Sequence, residues 1–169
     1  MDALQDLERA LSDAADTSLP LSYAARVSIE NSWDSKAVDL EAKISKYLKN
    51  PGIKLTPNFL EVYATLKADP EITKEDGWDK RLGVYVTPYF EAIAYALESN
   101  NFENDDMLRE GFEGAVSEGE IKFRLVKELI PGRGYCQSVI ENGVLYMQTT
   151  PKYWGVDYSS VGTDLVDLL

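Results

Sequence analysis

Apolar residues recur at three- and four-residue intervals over the first two-thirds of this chain, and at two-residue intervals from residue 120 onward. Leu4, Leu7, Leu11 and Ala14 share one helical face over 3–15, with acids between them. Over 21–33 two patterns compete. Ser22 suits the cap of a helix running to Trp33, while Val27 and Ile29 alternate as in a strand. Ala37, Leu40, Ile44, Tyr47 and Leu48 form a helical stripe over 36–49. Lys43, Lys46 and Lys49 lie toward its end, where cations meet the negative pole of the helix dipole, and Asn50-Pro51-Gly52 stops it. A short extended piece follows at 53–55. Thr56-Pro57 then reads as N-cap and first helical residue of a helix reaching about Ala68. Residues 69–77 read as a polar loop or a short helical turn. Leu82 to Val86 reads as a strand, with Thr87-Pro88 starting a second helix through Leu97. After a polar loop at 99–106, Met107, Leu108, Phe112 and Val116 predict a short helix weakened by Gly111 and Gly114.

From residue 120 the period is two. Ile121, Phe123 and Leu125 alternate with Lys122 and Arg124. Pro131-Gly132-Arg133-Gly134 is a turn. The runs 135–141 and 144–149 flank Asn142-Gly143, a dipeptide that tolerates positive φ at both positions and so predicts a hairpin. The tail carries Tyr153, Trp154 and Tyr158 and ends in one possible helical turn at 164–169; its pattern fits a docked tail and a free one equally. The expected fold is one α+β domain spanning 1–169, with helices packed on one face of a C-terminal antiparallel sheet.

Composition narrows the chemistry. The chain has no histidine and a single cysteine, Cys136. Serine-histidine and cysteine-histidine catalysis, histidine-ligated metals and cysteine-rich metal sites are therefore excluded, and no metal site is expected. No run of apolar residues approaches the length of a membrane span, and the first thirteen residues lack the apolar core of a secretory signal. A cytoplasmic setting is the expectation. A net charge of −12 argues against direct contact with nucleic acid or anionic membranes.

That charge is concentrated. Between 91 and 120 the acids are Glu91, Glu98, Glu103, Asp105, Asp106, Glu110, Glu113, Glu118 and Glu120, against Arg109 alone, a local net of −8. The window reads as a solvated face or as a docking surface for a basic protein partner. In the second reading Glu103, Asp105, Asp106, Glu110 and Glu113 are the binding residues, with Trp154 as an aromatic contact. Asn101 to Asp106 lacks the spacing of a calcium loop. Nucleic-acid mimicry would need a longer acidic stripe. Cys136, on a strand with no helix start beside it, reads as a packed core thiol.

Two segments carry a resemblance. Gly83-Val84-Tyr85-Val86-Thr87, with Phe90-Glu91-Ala92 and Tyr95-Ala96, looks like part of the ADP-ribosyltransferase fold, where a strand ending in Ser or Thr leads into a helix. Glu118-Gly119-Glu120 is similar to the Glu-x-Glu that opens a later strand in the arginine–serine–glutamate class of that family. The family motif reads Ser-Thr-Ser where this chain has Val86-Thr87-Pro88. The resemblance implies NAD as cofactor. It makes Arg26 the pyrophosphate-binding arginine, Thr87 the support of a glutamate, and Glu120, with Glu118, the carboxylate that stabilises an oxocarbenium-like ribose. The sequence therefore leaves two functions standing. The first is a non-enzymatic domain that binds a basic partner without a cofactor. The alternative is an NAD-consuming transferase or an inactive relative.

Overall fold

The computed structural model describes residues 21–163 and 165–169, so the helix expected over 3–15 lies outside it. The ambiguity at 21–33 resolves as helix. Ser22 is extended and its hydroxyl accepts from the Ala25 N–H at 3.1 Å, capping α1 (Tyr23–Ile29). A π-helical turn (Glu30–Asp34) joins α1 to α2 (Ser35–Leu48). The wider turn shifts the helical register and seats Trp33 against Phe59 and Phe90, with ring centroids 6.0 and 4.8 Å away.

After β1 (Lys54–Thr56) come α3 (Phe59–Lys67), the single turn α4 (Pro70–Thr73), α5 (Leu82–Ser99) and α6 (Asp106–Ala115). Two expected starts differ from what forms. Thr56 is not a helix cap. It pairs in β1, its hydroxyl donates to Glu120 at 2.7 Å, and α3 begins only after Asn58, which turns the chain at φ 60°. Nor is Leu82 to Val86 a strand; it forms the first turns of α5. Leu82, Val86, Tyr89, Phe90, Ile93 and Leu97 make one fully buried stripe at helical spacing. Burying six such side chains, at about 1.5–3 kcal/mol each, outweighs the roughly 3 kcal/mol that Pro88 costs inside a helix. The α5 start is also satisfied from outside. The Gly83 N–H, which has no partner within its own helix, donates to Ser28 Oγ on α1 at 2.9 Å.

The sheet holds β1, β2 (Glu120–Leu125), β4 (Val144–Thr149) and β3 (Cys136–Glu141) in that spatial order. The α+β class stands, as does the hairpin: Asn142 and Gly143 sit at φ 50° and 77°. The sheet is mixed, however, rather than antiparallel throughout. β1–β2 and β2–β4 run parallel, and only β3–β4 is antiparallel. The chain leaves β2, crosses to the far edge as β3, and returns as β4 alongside β2 in the same direction. Ile121, Phe123, Leu145 and Met147 face the core. On the other face Arg124 clamps Glu141 with two 2.9 Å bonds, donates to Gln148, and lies 4.1 Å from the Tyr146 ring centroid.

The tail is docked. Trp154 packs edge-on to Tyr85 at 4.9 Å, and Tyr158 meets Tyr89 at the same distance. The short α7 (Ser160–Thr163) lies on α5, with Gly162 so close that a Cβ there would stand 2.7 Å from Ala96 Cβ.

Candidate functional site

The acidic window of the sequence spans the end of α5, a 3-10 turn (Phe102–Asn104), α6 and the start of β2. Its carboxylates divide into those the fold uses and those it leaves to solvent. Glu91 pairs with Lys36 at 3.1 Å and Glu103 approaches Lys46 at 4.0 Å, both lysines coming from α2. Asp105 is the N-cap of α6, accepting from the Leu108 N–H at 3.0 Å. Asp106 pairs with Arg109, which also donates to the Phe102 and Glu103 carbonyls and so ties the turn to the helix. Glu120 is held by Thr56. Glu98 lies beside Tyr47, whose phenol is pushed up by burial and then by the Glu98 and Glu103 charges.

Glu110, Glu113 and Glu118 are exposed and make no ion pair among the described residues. With them stands Met107, 81% exposed. Met107, Glu110 and Gly114 fall at i, i+3 and i+7, on the face of α6 opposite the buried Phe112. Of the binding residues expected from sequence, Glu110 and Glu113 are thus presented to solvent. Glu103, Asp105 and Asp106 are partly engaged in structure. Trp154, 6% exposed, is a core side chain and not a surface contact. Met107 went unrecognised as a surface residue, although a helical projection of 106–115 sets it beside Glu110 and away from Phe112.

No protein-family model, curated protein or solved structure matches this chain.

The residues of the ADP-ribosyltransferase resemblance are dispersed in their environments. Arg26 is on α1 and lines a shallow groove with Glu30, Asp34 and Phe59, which contains none of the other three. Thr87 is 1% exposed inside α5, and its hydroxyl donates to the Gly83 carbonyl at 2.7 Å. Glu118 lies in the turn before β2, and Glu120 is on the strand itself. The strand that would aim Thr87 at a glutamate is a helix, so its hydroxyl is spent on its own backbone.

Among the described residues, no group of three or more Asp, Glu or Cys side chains is placed to hold a metal ion. No helix there is long and apolar enough to cross a membrane. Cys136 is buried, its Sγ donates to the Asp157 carbonyl at 2.9 Å, and burial, then the Asp157 charge, pushes its thiol up to about 11.

Proposed function

We propose that this chain binds a basic protein partner through the outer face of α6. The observation that carries the reading is Met107, a large apolar side chain 81% exposed among carboxylates on a helix that docks through the buried Phe112. Methionine is unbranched and polarizable, so it adapts to a partner's contour. The surrounding charges act mainly on encounter, speeding approach of a positive surface and rejecting negative ones. A cytoplasmic location, where the Cys136 thiol stays reduced, fits this role. A partner isolated by affinity purification is expected to associate at least about tenfold more slowly with the Glu110→Lys, Glu113→Lys, Glu118→Lys variant at low salt, with the fold unchanged by circular dichroism. Association at the wild-type rate would remove the reading.

A further inference from the structure

A groove of ≈ 580 Å³ runs between α5 and the tail. Ala92, Tyr95 and Ser99 line one wall at helical spacing; Val156, Asp157 and Thr163 line the other. Its floor is shallow because α5 and α7 meet through small residues, Gly162 against Ala96. Tyr95, 70% exposed, and Val156, 58% exposed, face water across it. Single exposed apolar side chains are ordinary, whereas two flanking one trough make a place for a third.

Among the described residues the groove lining carries one charged side chain, Asp157, and no lysine or arginine lines it. Asp157 is fixed in place by the Ser159 N–H at 2.9 Å, the Ser159 hydroxyl at 2.8 Å and the Ser160 hydroxyl at 2.9 Å. Those bonds, the Ser159 hydroxyl first, hold its carboxyl below the usual range, so it is anionic at neutral pH. Asn100, at the end of the groove, begins the turn that leads into α6.

We propose that this groove receives an apolar side chain from a basic peptide segment, with a lysine or arginine head group meeting Asp157 on its wall. The inference rests on the basic-partner reading and adds to it an anchor. The acidic face supplies attraction, and the trough supplies the desolvated contact that distinguishes one basic segment from another.

Two peptides separate the claims, acetyl-KKLKKLKK-amide and acetyl-KKKKKKKK-amide, titrated into the ¹⁵N-labelled full chain at low salt. Both should bind, the leucine peptide about tenfold or more tighter, shifting amides of Ser99, Asn100 and 156–163. The Tyr95→Ser, Val156→Ser variant changes only exposed side chains and should bring the two affinities together. So should Ser99→Trp, which fills the trough without altering charge. Equal affinities for wild type, or a leucine advantage that survives both variants, overturn the groove and leave the acidic face standing. Failure of both peptides to bind overturns both proposals.

Discussion

Gly83 and Gly114 are both helical glycines, yet replacing them should have opposite effects. A Cβ at Gly83 would stand 2.2 Å from the Ser28 carbonyl oxygen, which is backbone and cannot turn aside. Gly83→Ala should push α1 off α5 and cost about 1–3 kcal/mol, in spite of alanine's better helix propensity. At Gly114 nothing lies within 4 Å, so Gly114→Ala should gain up to about 1 kcal/mol. Thermal melts should show the two variants moving Tm in opposite directions, by roughly 2–4 °C per kcal/mol. Asp157 offers a second test. Its folded pKa lies below the unfolded value near 3.8, so its stabilisation is complete above that pH and disappears as pH falls through the lower folded value. Asp157→Asn should be less stable than wild type at pH 7, and urea titrations should show the gap narrowing below about pH 4. Little of this was readable in the sequence. The short-range reading of Leu82 to Val86 as a strand, and of Thr87-Pro88 as a helix start, missed the same residues' place in one 18-residue helix.

Elements that depend on local chemistry were legible, and those that depend on distant partners were not. Helix α2, the Asn142-Gly143 hairpin and β2 follow from spacing and turn residues, and they form where the pattern puts them. The extended piece expected at 53–55 forms as the three-residue β1, but what it pairs with is β2, in parallel and more than sixty residues later. No local signal announces that. The π-helical turn is similar, since its register shift is worth making only because Phe59 and Phe90 wait for Trp33. Trp33→Ala should therefore cost about 3–5 kcal/mol and loosen the joint between α2 and α5. Chemical denaturation, with the near-ultraviolet dichroism of the remaining tryptophans, reads both effects.

The whole molecule shows why net charge was informative and individual charges were not. The −8 in 91–120 is visible in the sequence. That Lys36 and Lys46 come back from α2 to meet two of its members is visible only in the fold. Reversing charge within the window should accordingly give two classes of variant. Glu110→Lys, Glu113→Lys and Glu118→Lys should leave Tm within a few degrees of wild type. Asp105→Lys should lower it, because removing a helix N-cap costs about 0.5–2 kcal/mol. Calorimetry on the two sets checks whether the solvent-exposed acids are indeed spare.

The placing of β4 between β2 and β3 also governs the order in which the molecule can assemble. During synthesis β1, β2 and β3 all emerge before the strand that bridges the last two. Until residues 144–149 arrive, β2 has only a three-residue neighbour and β3 has none. The apolar stripe of α5 must therefore await a sheet that closes late, a topology that predicts slow folding and a strong dependence on residues 144–149.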